Sequence, residues 1–147
     1  MLNHAAIEAL VPHKDGMCLL DGVVSWDSSS VVATANSHHR LDHPLRVAGR
    51  LPAVCGIEYA AQAMALHRGL CGPAEQVPVP GVLASVRDAT LNVADLDQTP
   101  GELVVEAIQL AVDWETKIYR FRVMSGGQVL IEGRASVVTR DAGAAVP

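Results

Sequence analysis

Residues 51–67 read LPAVCGIEYAAQAMALH, and the composition of this stretch differs from the rest of the chain. It is dominated by Ala, Met, Leu, Gln and Glu, which are good helix formers. Pro52 lies at the start, where the first turn of a helix tolerates a proline, and Gly69 lies where a helix end is expected. The sequence therefore predicts one long helix over residues 52–67.

Two polar side chains interrupt the otherwise apolar surface of this helix. Between residues 54 and 66 the strongly polar positions are Glu58 and Gln62, which are four residues apart and lie on one face. A surface helix has a much wider polar face, so this helix is predicted to be buried nearly all round. Burial raises the pKa of a carboxyl group toward the range that a general acid or base needs. Glu58 is therefore a candidate catalytic residue.

Outside this helix the chain is mostly predicted to be extended. Residues 23–36 are rich in Val and Thr, with a break near residues 28–30. Four more strands are predicted at 82–93, 102–114, 117–124 and 128–138, and residues 125–127 join the last two as a tight hairpin. Apolar and charged residues alternate in these last two strands, so that Tyr119, Phe121 and Val123 are predicted on one face and Arg120 and Arg122 on the other. The sum is about five or six strands and one helix. This pattern predicts the α+β class with an antiparallel sheet.

Composition narrows the classes of function. The 147 residues suit a single domain, predicted at 1–140, with a disordered Ala- and Gly-rich tail at 141–147. A net charge of -5 and 3% aromatic residues argue against nucleic-acid binding. The longest apolar stretch is too short to span a membrane, no secretory signal is visible, and the three cysteines form no CxxC pair. We expect a cytoplasmic protein with reduced thiols.

The segment before the helix collects titratable side chains. His38, His39 and His43 lie within six positions of one another, and their spacing matches no strong metal-ligand pattern. Three arginines at positions 40, 46 and 50 make the segment locally basic, which would suit an anionic carrier, although such loops are also common without a function. Glu58 could instead pair with one of these arginines. Cys55 is open to two interpretations, a nucleophile activated by the helix dipole or a buried structural thiol.

Two motifs resemble those of 3-hydroxyacyl-ACP dehydratases of the hotdog fold, above all the accessory enzymes of fatty-acid or polyene-pigment assembly. Residues 10–24 contain LVPH and MCLLDGVV, similar to the family's opening L-P-H-R-x-P-x-L-L-V-D-R-V. Residues 51–62 are similar to its helix entry F-P-G-V-L-x-x-E-A-x-A-Q. The resemblance covers residues 10–139. It implies a curved antiparallel sheet wrapped around the long helix and a two-fold pairing of subunits.

The resemblance also implies a site. Glu58 would be the acid that protonates the departing hydroxyl, and the backbone N–H groups of Ala53 and Val54 at the helix start would bind the thioester. Gln62 would support Glu58 or a contact to the partner. The base would be His43, which precedes Glu58 by fifteen residues, one more than in the family. His13 matches a position read as structural.

The family's motif around the base, G-H-F-P-G-x-P, is absent, so alternatives stay open. The base could be His43, His38, His39 or a histidine of a different hotdog partner. The chain could instead be a thioesterase in which Glu58 activates water, or a non-catalytic subunit. We expect a thioester carried by acyl carrier protein or CoA, a homodimer or heterodimer, no cofactor and no metal. Acyl length and pathway are not specified by the sequence.

Overall fold

A computed structural model describes residues 2–12, 15–72 and 81–139 of the chain. Its sheet has seven strands in the order β1-β2-β3-β5-β6-β7-β4, and every neighbouring pair is antiparallel. The strands are β1 (Leu2–Asn3), β2 (Gly22–Trp26), β3 (Ser30–Ala35), β4 (Gly81–Leu91), β5 (Leu103–Asp113), β6 (Thr116–Ser125) and β7 (Gln128–Thr139). The predicted α+β class is confirmed. The number of strands exceeds the expected five or six because β1 has two residues, which is too short for an alternation of apolar and polar residues to be recognised.

The predicted long helix is present and is longer than expected. A 3₁₀ turn at Ala53–Cys55 leads into this helix, α2 (Gly56–Cys71), which is preceded in the chain by a shorter helix, α1 (His4–Leu10). No residue from 56 to 70 is exposed, which confirms the predicted burial on all sides. The predicted end at Gly69 is wrong, because the helix continues and Gly72 is its C-cap. Gly69 instead lies against a neighbouring segment, and a Cβ there would be 2.7 Å from the Leu10 carbonyl oxygen.

That neighbouring segment is a second helix that the sequence analysis missed. Helix α1 (His4–Leu10) has seven residues, and the Asn3 side chain caps it by accepting a hydrogen bond from the Ala6 N–H. Two turns are too few for a helical period to stand out from the sequence. Its Ile7 side chain is fully buried, so α1 extends the core past the end of α2.

The alternation predicted for the last two strands is confirmed. Tyr119, Phe121 and Val123 of β6 are buried against α2, whereas Arg120 is exposed on the other face of the sheet. The turn between β6 and β7 has Gly126 and Gly127 at φ 58° and 81°, a conformation that glycine adopts without strain. The break near residues 28–30 is also present, as the turn between β2 and β3.

The sheet ends at β4, an eleven-residue strand that pairs only with β7 among the described residues. Its side chains are mostly exposed, including Val82 at 66%. An apolar strand edge of this length offers unpaired backbone groups to a further strand.

Other sequence-based expectations meet the structure only in part. His13 and the tail at 141–147 lie outside the described residues, so their predicted roles stay predictions. Cys18, Cys55 and Cys71 form no disulfide. Within the part of the chain that the structure describes, no helix has the length and apolar character needed to cross a bilayer. The cytoplasmic location remains a prediction.

Candidate active site

Glu58 lies on the wall of a pocket between α2 and the sheet. The pocket encloses about 200 Å³, and most of its apolar lining comes from the helix and from strands β4 and β7. These apolar residues are Ala61, Met64, Ala65, Leu83 and Val137. Glu58 is partly buried there, and it pairs with neither Arg46 nor Arg50, which bind elsewhere. The helix therefore places a carboxyl group in a largely apolar cavity.

Gln62 holds Glu58 from the next turn of the helix. Its amide nitrogen donates to a Glu58 carboxylate oxygen at 3.1 Å and to the Met17 carbonyl at 2.7 Å. Its amide oxygen accepts from the Leu19 N–H at 2.8 Å. Gln62 is fully buried, so both donors and the acceptor are used inside the protein. Gln62 thus orients the carboxylate and ties the segment before β2 to the helix.

His43 is enclosed rather than presented to the pocket. It is 4% exposed, its Nδ1 accepts from the Leu45 N–H at 3.1 Å, and its Nε2 lies 3.0 Å from the Tyr59 hydroxyl. Because Nδ1 is an acceptor, Nε2 carries the proton and donates it to Tyr59. Burial, and then the positive charges of Arg40 and Arg46, lower the pKa of His43. The ring is neutral and both its nitrogens are occupied.

The hydrogen bond of His43 continues through the core. Tyr59 and Ser37 are 2.7 Å apart at their hydroxyl oxygens, and Ser37 donates to the Leu19 carbonyl at 2.8 Å. Tyr59 therefore donates to Ser37, and each group in the chain is satisfied. His43 contacts the residue after Glu58 on the helix, and successive residues point about 100° apart around the axis. Within one subunit the predicted acid and base are thus held on different sides of α2.

The other two loop histidines bind backbone carbonyls. His38 is fully buried, and its Nε2 lies 3.1 Å and 3.0 Å from the carbonyl oxygens of Thr99 and Gly101. His39 is exposed, and its Nε2 lies 2.7 Å from the same Thr99 oxygen. Both rings join the segment after β3 to the loop before β5. Neither ring lines the pocket of Glu58.

The entry of the helix is fixed by the loop after β4. The Ala53 N–H donates to the Ala94 carbonyl at 2.9 Å, so the N–H predicted to face a thioester already has a partner. Val54, the next residue, is 56% exposed. Substrate binding by either residue remains a prediction.

The arginines of the loop order the protein itself. Arg46 donates to three backbone carbonyls, and Arg50 binds Asp95 and Asp97 at 2.9 Å and 3.0 Å. Arg40 pairs with the exposed Asp42. Burial and the nearby carboxylate of Glu58 raise the pKa of the Cys55 thiol, which opposes the activated nucleophile and favours the structural interpretation.

Three further pocket residues were not identified from the sequence. Arg68, Lys117 and Tyr119 line the same cavity as Glu58. Tyr119 is buried, and its hydroxyl is 2.9 Å from His67 Nδ1. The alternation of β6 predicted which face Tyr119 occupies, and the same alternation puts Lys117 on that face. What the sequence did not reveal is that α2 and β6 meet at these positions.

Comparisons with known proteins agree with this architecture. The chain resembles the dehydratase heterocomplex ApeI:P from Xenorhabdus doucetiae, with a TM-score of 0.80, 22% identity and coverage of 92% of this chain and 91% of that one. It also resembles AziG from S. sahachiroi (TM-score 0.63, 14% identity, 88% and 97% covered) and a mutant thioesterase from Pseudomonas aeruginosa (0.55, 18%, 80% and 81%). A comparison with curated proteins gives no match.

The solved structures establish the fold, and the match to a family model establishes the relationship. The seven-stranded antiparallel sheet packed on one long helix is the hotdog fold, as the resemblance implied. The model of the ApeP-like family, described as ApeP dehydratase, matches residues 5–146. The helix that places Glu58 on the wall of this pocket is therefore part of a chain that belongs to the ApeP-like dehydratase family.

Proposed function

We propose that this protein takes part in the dehydration of a 3-hydroxyacyl thioester to the trans-2-enoyl thioester. The observation that carries the proposal is the position of Glu58, a carboxyl group held by Gln62 on the wall of an apolar pocket. An acyl chain fits such a lining, and a positioned carboxylic acid can protonate a leaving hydroxyl group. Membership of a dehydratase family supports the same reaction.

In this reaction a base removes the proton from the carbon next to the thioester carbonyl. The bond between carbon 3 and its hydroxyl oxygen breaks, and Glu58 gives its proton to that oxygen, so water leaves. Glu58 ends as a carboxylate and the base ends protonated, and a proton passing back between them resets the site. A shortage of water in the pocket would favour this transfer over exchange with solvent.

We infer that the base comes from a second hotdog subunit. His43 supports this inference because its Nδ1 and Nε2 are both hydrogen-bonded and its ring is enclosed. A base must reach within about 3 Å of the proton that it removes, and His43 would have to leave its core network to do so. The similar ApeI:P structure is a heterocomplex, which supports a partner of a different kind.

The exposed strand β4 is the surface that suits such a partner. It is the last strand of the sheet, it borders the pocket through Gly81 and Leu83, and Val82 and Leu91 are exposed at 66% and 47%. A second subunit paired along β4 would extend the sheet and bring its own side chains next to Glu58. We propose that acyl carrier protein delivers the substrate, with CoA as the alternative carrier.

The reverse reaction gives the direct test. Hydration of a trans-2-enoyl thioester is followed by the loss of enoyl absorbance, with the full chain alone and with its hotdog partner. Glu58→Gln keeps the shape but removes the acid, so we expect a rate loss of about 10²-fold or more. The matched control is Glu132→Gln, an exposed carboxylate on β7. His43→Gln should reduce stability more than rate.

Other results identify the alternatives. Equal rates for Glu58→Gln and the wild type would contradict the proposal. Release of free thiol from the thioester, dependent on Glu58, would point to a thioesterase. A tight complex with a second hotdog chain whose activity ignores Glu58 would make this chain a non-catalytic subunit.

A further inference from the structure

Two arginines lie side by side on the face of the sheet that points away from α2. Arg87 of β4 and Arg134 of β7 are paired in the ladder, so their Cβ atoms are about 5 Å apart. The next residue on β7, Ala135, is buried beside Tyr119 on the face that packs on the helix, which puts Arg134 on the opposite face. Both arginines are exposed. They therefore belong to a surface that the pocket of Glu58 does not use.

Neither of these arginines has a carboxylate partner. Among the residues that the structure describes, no side-chain hydrogen bond or ion pair involves Arg87 or Arg134. The same face of the sheet pairs another arginine in the ordinary way, because Arg122 of β6 binds Glu106 of β5 at 2.8 Å. Like charges that lie directly opposite each other destabilise a sheet. The pair of Arg87 and Arg134 is therefore a place where an anion would relieve repulsion.

The two arginines border a depression of about 290 Å³ in this face of the sheet. Its lining consists of the two arginines, two serines and two apolar residues: Ser85, Arg87, Ile118, Arg134, Ala135 and Ser136. No carboxylate of a described residue belongs to this lining. Asp88 and Glu132 line a second depression together with Arg134, and neither of them forms an ion pair with it. The first depression thus has positive charge without a compensating negative charge.

The serines supply a hydrogen-bond donor beside the arginines. Ser85 and Ser136 are paired in the same ladder, and their hydroxyl oxygens are 2.6 Å apart. One hydroxyl donates to the other, so the proton of the second hydroxyl has no partner in the described part of the chain. Register shifts in the pairing of β4 with β7 lie on both sides of residues 85–87, and such irregularities often adjust the direction of side chains at functional sites. The depression therefore combines two guanidinium groups with one spare hydroxyl proton.

We propose that this depression binds the phosphate group of a small phosphate ester. Arg87 and Arg134 bind its oxygens, and the spare hydroxyl proton of the serine pair donates to it. Guanidinium groups match phosphate oxygens with two parallel hydrogen bonds, and a doubly charged group can bind both arginines at once. Ile118 is 38% exposed and provides an apolar contact for the organic part of the ester. The inference is independent of the proposed dehydration, because it concerns the other face of the sheet.

An NMR titration of the full chain locates the ligand and measures its affinity. Phenyl phosphate is the probe, and benzoate is the comparison because it has the same ring and a single charge. We expect shifts of the Nε–Hε signals of Arg87 and Arg134, and at least about fivefold tighter binding of phenyl phosphate. Inorganic phosphate should bind more weakly than phenyl phosphate, since it makes no apolar contact with Ile118.

Substitutions at Arg134 test the assignment of the site. Arg134→Gln removes one of the two guanidinium groups and should weaken the binding of phenyl phosphate by about tenfold or more. Arg134→Lys keeps the charge but not the paired hydrogen bonds, so it should retain only part of the affinity. The matched control is Arg120→Gln, at an exposed arginine of the same face outside the depression, which should change the affinity by less than about threefold.

The stability of these variants shows whether a loss of affinity is local. Because Arg134→Gln also removes the repulsion from Arg87, the variant should resist urea at least as well as the wild type. Arg87→Gln repeats the test from β4 if the first variant fails to fold.

Equal affinities for phenyl phosphate and benzoate, or an affinity that survives both neutral variants, would overturn the inference. Signal changes confined to other parts of the chain would do the same. Inorganic phosphate that binds as tightly as phenyl phosphate would exclude the ester and assign the site to the free ion. The proposed dehydration is tested separately by the Glu58→Gln rate, which none of these outcomes affects.

Discussion

Glu58 and Gln62 show how one polar pair serves both structure and chemistry. Gln62 is fully buried, and it accepts a hydrogen bond from the buried Leu19 N–H, which would otherwise lie unpaired in the core, and donates to the carbonyl of Met17. Its remaining N–H binds Glu58. A carboxylate on this helix is therefore tolerated because a residue one turn away anchors it.

Replacing Gln62 with methionine tests this double role. Gln62→Met retains the side-chain length but leaves the Leu19 N–H and the Met17 carbonyl without partners, so the free energy of unfolding should fall by about 2–4 kcal/mol. Urea denaturation measures the loss. Gln128→Met, at the exposed start of β7, is the matched control and should change stability by less than about 0.5 kcal/mol. A loss no larger than that of the control would show that Gln62 has no structural role.

At the scale of elements, α2 is positioned at both ends by backbone contacts. At its start, the Leu96 N–H binds the Leu51 carbonyl and the Ala53 N–H binds Ala94, which fixes the turn before Glu58. Near its end, Gly69 lets the backbone of α1 approach. Tyr59, between these ends, anchors the loop of His43. The direction of the helix, and with it the position of Glu58, depends on these contacts.

Gly69→Ala distinguishes packing from helix propensity. In an open helix the change would raise stability by about 1 kcal/mol. Here the new methyl group would lie 2.7 Å from the Leu10 carbonyl oxygen, so α1 must shift and we expect a net loss of about 1–2 kcal/mol. Thermal and urea unfolding both report whether the substitution raises or lowers the stability of the protein. A rise in stability would contradict the close packing of α1 on α2.

At the scale of the whole molecule, buried histidines join separate parts of the chain. His38 binds the loop before β5, His43 binds Tyr59 of α2, and His67 of α2 binds Tyr119 of β6 and the Asp27 carbonyl. Each is less than 5% exposed. Burial lowers the pKa of all three. The folded protein therefore holds these rings neutral.

This predicts a loss of stability in mild acid. The pKa of each folded histidine lies below its usual value of 6.5, so the unfolded chain binds protons at a pH where the folded chain does not. Their stabilising effect is complete above pH 6.5 and is lost as the pH falls from there toward the folded pKa values. Each ring can lower the free energy of unfolding by up to about 1.4 kcal/mol for each unit by which the pH falls within this range. Urea denaturation at pH 5, 6 and 7 measures this loss of stability. Equal free energies of unfolding at the three pH values would refute the prediction.

Local sequence patterns were enough to predict the long helix, the hairpin between β6 and β7 and the candidate acid. Helical propensity and the lack of a polar face predicted a buried α2, and alternation predicted the faces of β6, because these signals are local and repeat along the chain. The same local reasoning put Glu58 and Gln62 on one face. It missed α1 and misjudged the end of α2, since a two-turn helix has no clear period and Gly69 is used for packing rather than for a cap.

The contacts between distant residues follow from the folded structure and not from local patterns. The sequence made His43 a candidate base, and the fold encloses its ring against Tyr59 and the Leu45 N–H, which no local pattern indicated. Lys117 had no special signal, and the fold places it in the pocket of Glu58. Such contacts join residues that are far apart in the chain, and they depend on how the sheet packs on the helix. Periodicity reports the face on which a residue lies, whereas packing decides what lies opposite that face.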